Sequence, residues 1–296
     1  MKSKRRISLV TGRTDSVTHL DGSPLIVHIS DIHGYLDDAR SALLAVSKTE
    51  AFDPIVTVDD RGQLHWADND YMLVINGDLI DRGPANDACM EMVWRLFDEA
   101  PAGRIRYHIG NHELPILMPR VLGWPDTYST QFTDTQRQDF FARIIDGDVT
   151  AAFEGYNYVY SHAGSNNSIS PTEINENLRE AAATLVDHIG ERNGSSIHEQ
   201  LINQYNRLFG IGENGARGPS AGLCWLDFSH LKETAPPQVV GHSMRGQPVR
   251  KGNVVCANVI RMNQRTVGGE GVLIETPEEL TFVRRNRDGS VTTNIV

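Results

Sequence analysis

Five short turns in this chain carry side chains that could bind metal ions. They read Ser30-Asp31-Ile32-His33-Gly34, Asn76-Gly77-Asp78-Leu79-Ile80-Asp81-Arg82-Gly83-Pro84, Gly110-Asn111-His112-Glu113, Ser161-His162-Ala163-Gly164 and Gly241-His242-Ser243. The candidate ligands are two carboxylates, three imidazoles and an amide oxygen, from Asp31, His33, Asp78, Asn111, His162 and His242. This mixture of donors suits borderline divalent ions such as manganese, iron or zinc, whereas magnesium would prefer more oxygen.

Each turn follows an apolar run that predicts a buried β-strand. The runs are Leu25–Ile29, Met72–Ile75, Arg104–Ile109, Tyr158–Tyr160 and Gln238–Val240. In α/β sheets the working residues gather beyond the carboxyl ends of the strands, and glycine lets the backbone turn sharply beside a ligand. A lone Asp-x-His or a lone histidine is common by chance, but five such turns after five such runs are not.

The remaining patterns predict an α/β protein in which strands alternate with helices. Amphipathic helices are expected at Leu36–Ser47 and Ala85–Glu99, a hairpin at Ile55–Val58 and Gln63–Trp66, and closing strands at Gly271–Glu275 and Leu280–Arg284. We expect one catalytic domain over residues 1–296, with insert regions at about 114–150 and 165–222. Helices are expected in the inserts at Thr135–Ile145, Pro171–Ile189 and Ile197–Phe209.

Composition excludes several classes of protein. A net charge of -10 argues against a dedicated nucleic-acid-binding protein, which would present a basic face. Three scattered cysteines indicate neither a disulfide framework nor a zinc ribbon. The apolar stretch Ile7–Val10 is too short for a signal peptide, and no run approaches the about 18 apolar residues of a membrane span. We therefore expect a cytoplasmic protein that does not bind membranes.

The set of turns resembles the calcineurin-like metallophosphoesterases and, within them, the phosphoprotein phosphatases. That family reads Asp-x-His-Gly, Gly-Asp-x-x-Asp-Arg-Gly, Gly-Asn-His-Glu, His-(Gly/Ala) and Gly-His, and the match runs from about Leu25 to Ile260. The resemblance implies a central β-sandwich flanked by helices. It also implies two divalent ions per chain, manganese ahead of iron or zinc. The first ion would be held by Asp31, His33 and Asp78, and the second by Asp78, Asn111, His162 and His242.

The resemblance further implies a mechanism and residue roles. A hydroxide that bridges the two metals would attack phosphorus in line with the leaving oxygen. His112 would be the general acid, oriented by Asp81, and Arg82 would grip the phosphate with its guanidinium fork. The same phosphate would also meet Asn111 and His112.

Two further roles are expected near these motifs, a second phosphate-binding arginine and a structural glutamate. A second phosphate-binding arginine is expected at Arg217, with Arg245 as the competing candidate. Glu113 is expected to make a structural hydrogen bond or ion pair rather than to bind metal.

Three functions remain open from the sequence. Gly110-Asn111-His112-Glu113 favours a phosphomonoesterase similar to the Ser/Thr protein phosphatases, because the related symmetrical dinucleoside tetraphosphatases usually have Asp in the last place. His162-Ala163-Gly164 favours such a tetraphosphatase, which would cleave a nucleotide. A non-catalytic binding module is the third possibility, although such modules tend to lose metal ligands and none is missing here. The expected partner is a phosphorylated substrate, and the oligomeric state cannot be read from the sequence.

Overall fold

Two β-sheets and the helices around them form the fold, seen in a computed structural model that describes residues 14–119, 123–124, 126–190, 194–213, 217–264 and 267–296. The predicted apolar stretch at the start of the chain, Ile7–Val10, lies outside the described residues. The strands are β1 (Leu25–Ile29), β2 (Val56–Val58), β3 (Leu64–Trp66), β4 (Tyr71–Asn76), β5 (Ile105–His108), β6 (Val149–Thr150), β7 (Ala152–Glu154), β8 (Val159–Ser161), β9 (Gln238–Met244), β10 (Val249–Lys251), β11 (Val254–Asn258), β12 (Gly271–Glu275), β13 (Leu280–Arg285) and β14 (Val291–Ile295). The helices are α1 (Leu36–Ala45), α2 (Asn86–Glu99), α3 (Leu114–Leu117), α4 (Asp134–Asp146), α5 (Pro171–Asp187), α6 (Gly194–Gln204), α7 (Asn206–Phe209) and α8 (Ile260–Asn263).

The sheet topology brings strand ends together. In the described part of the chain the larger sheet has the order β14-β13-β12-β1-β4-β5-β6, and β1, β4, β5 and β6 run parallel. The second sheet has the order β10-β11-β9-β8-β7, and β11, β9 and β8 run parallel. Because parallel strands finish at the same edge of a sheet, the turns after β1, β4 and β5 become neighbours, as do those near the ends of β8, β9 and β11.

The alternation of side chains along the strands builds two cores. On β4, Met72 and Val74 face the second sheet and pack with residues such as Tyr160 and Val239. Leu73 and Ile75 face the opposite way and pack in the cluster that includes the apolar faces of α1, α2, α4 and α5. Because alternate side chains point to opposite faces of a strand, one face of the larger sheet packs on the second sheet and the other face packs under helices.

The outer face of the second sheet is covered by a loop segment. Val240, Val254 and Cys256 pack there against Leu226 and Phe228, in the stretch that precedes β9. All three cysteines of the chain are buried and none forms a disulfide. No helix of the described residues has the length and apolar character needed to cross a membrane.

The predicted fold class, a β-sandwich flanked by helices, is confirmed by this architecture. The predicted hairpin is present as antiparallel β2 and β3. The helix predicted from Ile197 to Phe209 is instead two helices, α6 and α7, that meet at Tyr205.

One predicted boundary was wrong in a way that concerns the site. The strand predicted to end at Val240 continues to Met244, so His242 lies within β9 and not after it. The backbone of His242 has φ of 58°, and the pairing of β9 with β11 shifts register between Cys256 and Asn258. A bulge of this kind re-aims a side chain without ending the strand.

Candidate metal centre

The Asp78 carboxylate lies at the centre of the candidate site. Its Oδ2 atom is 3.5 Å from His33 Nε2 and 3.4 Å from His162 Nε2. In the described residues two sets of possible ligand atoms lie within 4.8 Å of one another, His33 with Asp78 and His112, and Asp78 with His162 and His242. Asp78 belongs to both sets, and its role as a bridge between two ions stays a prediction.

The other predicted ligands surround this centre. His162 Nε2 lies 3.3 Å from Asn111 Oδ1 and 3.1 Å from His242 Nδ1. Asp31 is in neither set of atoms, but its Oδ2 accepts a hydrogen bond of 3.0 Å from the backbone N–H of His242. Its Oδ1 accepts one of 2.6 Å from the side chain of Asn258. The structure therefore brings all six predicted metal ligands to one place, with Asp31 tied to both sheets.

Two histidine rings are held with a free nitrogen toward the centre. His33 Nδ1 donates to the carbonyl of Ile80 over 3.0 Å, and His162 Nδ1 donates to the carbonyl of Asn76 over 2.9 Å. A carbonyl oxygen can only accept, so the proton of each neutral ring is on Nδ1. Each Nε2 then offers its lone pair, which is the arrangement found in metal-ligating histidines.

The electrostatics favour positive charge at the centre. Burial lowers the pKa of His33 to about 3, which keeps that imidazole neutral. Burial also lowers the pKa of His162, yet the Asp78 carboxylate outweighs it and raises that pKa to about 9. Burial raises the pKa of Asp31 to about 7. At neutral pH the protonated His162 ring supplies the positive charge that the buried carboxylates need. A divalent cation can take the place of that proton, so the donor set fits divalent metal ions.

The backbone at the site is unusual. In the described residues eight non-glycine residues have a positive φ, and seven of them were predicted as site residues. These seven are Asp31 (53°), His33 (49°), Asp78 (52°), Asp81 (71°), Arg82 (71°), Arg217 (73°) and His242 (58°). Such conformations cost about 1–3 kcal/mol each and persist where the surroundings enforce them, commonly at functional sites.

Glu113 holds the turns after β4 and β5 together. Its Oε2 accepts from the backbone N–H groups of Asp78 (3.0 Å) and Gly110 (2.7 Å). Its Oε1 accepts from the N–H of Leu79 (3.0 Å) and the hydroxyl of Tyr107 (2.6 Å). Glu113 is fully buried, and these contacts agree with the structural role expected from the sequence. Gly110 is required in the same place, because a Cβ there would overlap the Asp78 carboxylate.

His112, Asp81 and Arg82 form a chain beside the centre. His112 Nδ1 donates to Asp81 Oδ2 over 2.7 Å, and Arg82 Nη2 donates to His112 Nε2 over 2.8 Å. His112 and Asp81 are buried, whereas Arg82 is exposed. The exposed guanidinium of Arg82 can bind an anion, and the adjoining His112–Asp81 pair can transfer a proton to that anion.

A family model of calcineurin-like phosphoesterases matches residues 24–250. The chain belongs to the calcineurin-like phosphoesterase family. It is a hydrolase of phosphate esters, and the family's use of divalent metals accounts for the buried donor set.

Two solved structures with TM-scores above 0.5 show the same fold. A mutant of a cold-active protein tyrosine phosphatase superposes on this phosphoesterase with a TM-score of 0.58 at 19% identity, over 96% of this chain and 82% of that chain. The cold-active protein-tyrosine phosphatase of a psychrophile, Shewanella sp., gives a TM-score of 0.53 at 20% identity, over 95% and 82%. A protein serine/threonine phosphatase from Saccharomyces cerevisiae gives 0.46 at 18% identity, over 95% and 81%.

The two candidates for a second phosphate-binding arginine of this phosphoesterase differ in position. Arg217 is about half exposed, and its Nη2 lies 2.8 Å from Asp227 Oδ2. The same Asp227 oxygen accepts from the hydroxyl of Ser243 over 3.1 Å, so Arg217 lies beside the segment that carries His242. Burial, His162 and the Arg217 charge lower the pKa of His242. Arg245 stacks over the ring of Phe228 at 5.0 Å. The role of Arg217 as the second phosphate-binding arginine stays a prediction.

Several residues near the centre were missed in the sequence. Asn258, which holds Asp31, lies at the end of β11, where the rule about strand ends could have found it had that strand been predicted. The charge of Arg261 on α8 interacts with the site: burial and the Arg82 guanidinium lower the pKa of Arg261, whereas the Asp31 carboxylate raises it. The Trp124 ring lies 4.8 Å from that of His112. No sequence motif marks Arg261 or Trp124.

Proposed function

We propose that this phosphoesterase hydrolyses phosphate monoesters, in the manner of the Ser/Thr protein phosphatases that its motifs resemble. The observation that carries the proposal is the position of Asp78, which is shared by two sets of ligand atoms and adjoins the His112–Asp81 pair. His112 is tied to Asp78 directly, because its backbone N–H donates to Asp78 Oδ1 over 2.9 Å.

The chain supplies ligands for two divalent ions, for which manganese is our first choice and iron or zinc the alternatives. The first ion would be held by the side chains of Asp31, His33 and Asp78, and the second by those of Asp78, Asn111, His162 and His242. Ions bound there polarise phosphate oxygens and lower the pKa of a water molecule that can act as nucleophile.

Arg82 binds the phosphate of the substrate. Its guanidinium now donates to His112 Nε2, and its exposed position lets it turn to a phosphate above the centre. A phosphate dianion is a stronger acceptor than a neutral imidazole, and the fork of arginine can bind two of its oxygens. The turn of Arg82 frees His112 Nε2 for a proton.

His112 protonates the leaving group. As the bond between phosphorus and the ester oxygen breaks, the leaving alkoxide takes the proton from His112 Nε2 and departs as an alcohol. Asp81 accepts from His112 Nδ1, which fixes the orientation of the ring.

The two residues that separated monoesterase from tetraphosphatase in the sequence do not face a substrate. Glu113 is fully buried on backbone N–H groups. Ala163 is 1% exposed, and its methyl group packs in the apolar cluster on the outer face of the second sheet. The identity of each is explained by packing, so the substrate must be decided by assay.

The test is a substrate panel with manganese added to the purified full chain. The panel contains a phosphoserine peptide, a phosphotyrosine peptide, para-nitrophenyl phosphate and diadenosine tetraphosphate. We expect kcat/KM for the monoesters to exceed that for the dinucleotide by at least about tenfold, a difference of about 1.4 kcal/mol in transition-state binding. Hydrolysis of the dinucleotide alone would show that the protein is a tetraphosphatase.

A further inference from the structure

The carboxylate of Asp81 is held by a residue from the first predicted insert region. The backbone N–H of Ser129 donates to Asp81 Oδ1 over 2.8 Å, and the Ser129 hydroxyl donates to Asp81 Oδ2 over 2.8 Å. Oδ2 is also the atom that accepts the Nδ1–H of His112, at 2.7 Å. Both oxygens of Asp81 are therefore fixed by an element 48 residues away in the chain.

The direction of these hydrogen bonds can be assigned. A carboxylate can only accept, so the Ser129 hydroxyl must give its proton to Asp81. The Thr127 hydroxyl, 3.0 Å from Ser129 Oγ, then donates to Ser129. Ser129 is 1% exposed and Asp81 is 1% exposed, so water does not compete for this chain of donors. The chain runs from Thr127 through Ser129 to Asp81, where it meets His112.

We propose that Ser129 is a positioning residue for the proton-donating step. Its two hydrogen bonds lock the Asp81 carboxylate in one plane, and that plane sets the direction in which the His112 ring presents Nε2 to the leaving oxygen. A side chain that orients a catalytic group through hydrogen bonds acts on rate by keeping the group within the productive geometry. The inference rests on the proposed monoesterase function and on the acid role of His112.

A purely structural role for Ser129 leads to a different expectation. If Ser129 only anchors the segment around it, its loss would lower stability and affect all substrates alike. If it acts through Asp81 and His112, its loss would slow only those substrates whose leaving group needs a proton. The dependence on the leaving group therefore separates the two roles.

The test compares Ser129→Ala with wild type on a phosphoserine peptide and on para-nitrophenyl phosphate. A hydrogen bond to a charged group corresponds to about tenfold or more in rate, so kcat on the peptide should fall by about tenfold. KM for the peptide should stay within about twofold, and kcat on para-nitrophenyl phosphate should also stay within about twofold, because its leaving group needs no proton. Ser129→Thr, which keeps the hydroxyl, should restore most of the peptide turnover.

Thr130→Ala is the matched control. Thr130 lies in the same turn, and its hydroxyl donates to the carbonyl of Thr127 over 2.8 Å and accepts from the N–H of Thr127 over 3.0 Å. Thr130→Ala therefore loosens the turn but leaves both hydrogen bonds from Ser129 to Asp81 in place. We expect it to leave the ratio of the two substrates unchanged. Melting temperature and metal content are measured for every variant, and Ser129→Cys replaces Ser129→Ala if the alanine variant does not fold.

A double-mutant cycle completes the experiment. In a His112→Ala background the Ser129→Ala change should cause no further loss on the peptide, because the group through which Ser129 acts is gone. Equal losses of kcat on both substrates would overturn the role proposed for Ser129, and so would additive losses of the two substitutions in the cycle. Neither outcome would count against the monoesterase proposal. Absence of hydrolysis of both the peptide and para-nitrophenyl phosphate by wild type would instead overturn the monoesterase proposal.

Discussion

Replacing Glu113 should damage the metal centre, although this residue contacts neither a predicted metal ligand side chain nor solvent. Three backbone N–H groups, of Asp78, Leu79 and Gly110, donate to its carboxylate, together with the hydroxyl of Tyr107. Asp78 and Gly110 belong to the turns that deliver the ligands. Removal of the carboxylate leaves these donors without partners in a buried place.

The magnitude follows from the number of donors. Each unsatisfied buried donor costs about 1–3 kcal/mol, so Glu113→Ala should destabilise the fold by at least about 3 kcal/mol from the three N–H groups. That is a large share of the about 5–15 kcal/mol that stabilises a typical protein. The melting temperature should fall by at least about 6 °C in a chain of this size. Glu113→Gln should be milder, because an amide oxygen can still accept from Asp78 and Gly110.

The assay is urea denaturation together with metal content and turnover. We expect both substitutions to lower metal content and activity, with alanine worse than glutamine. The control is Glu180→Ala, which also removes the acceptor of a tyrosine hydroxyl, that of Tyr205 at 2.9 Å, but at an exposed position. It should change stability by about 0.5 kcal/mol or less. If Glu113→Ala matches this control in stability, metal content and turnover, the role assigned to Glu113 is wrong.

The remaining predictions concern the site itself. Asp78→Asn should abolish activity and lower metal content, because it removes the charge shared by both ions, and two metals per chain with near-normal turnover would contradict the shared site. His112→Ala should keep its metals yet lose roughly 10²–10⁴-fold in turnover. That loss should shrink for para-nitrophenyl phosphate, and an equal loss on all esters would exclude the acid role. Arg82→Ala should raise KM, lower kcat and weaken inhibition by inorganic phosphate, and Arg82→Lys should restore little because it lacks the fork. Unchanged kinetics with metals still bound would show Arg82 to be an ordinary surface residue.

The turns at the ends of the strands could be predicted because each one directly follows its apolar run in the sequence. The apolar run Leu25–Ile29 forms β1 with the predicted bounds, and Asp31 and His33 follow it. The same holds, within a residue at each end, for β4 and β5. Parallel pairing then places the turns side by side, so the proximity of Asp31, Asp78 and Asn111 follows from general rules of α/β sheets.

The contacts that hold these side chains in place could not be predicted, because they join distant parts of the chain. Asn258 binds Asp31 across 227 positions, and Ser129 binds Asp81 across 48. A serine or an asparagine alone indicates nothing about its partner. The bulge at His242 was missed for a related reason, since the register of β9 against β11 depends on pairing that a single strand does not encode.

The positive φ angles of the site residues determine which substitution can inactivate this enzyme without disturbing its backbone. Asp, Asn and His occupy that region several-fold more often than other side chains, whereas an ordinary L-residue there costs about 1–2 kcal/mol. Asp81 has φ of 71°, so Asp81→Asn keeps both the shape and the backbone that alanine would strain. The asparagine variant keeps this backbone while it weakens the proton donor, so it is a better bait than the alanine variant for capturing the natural substrate from a cell extract.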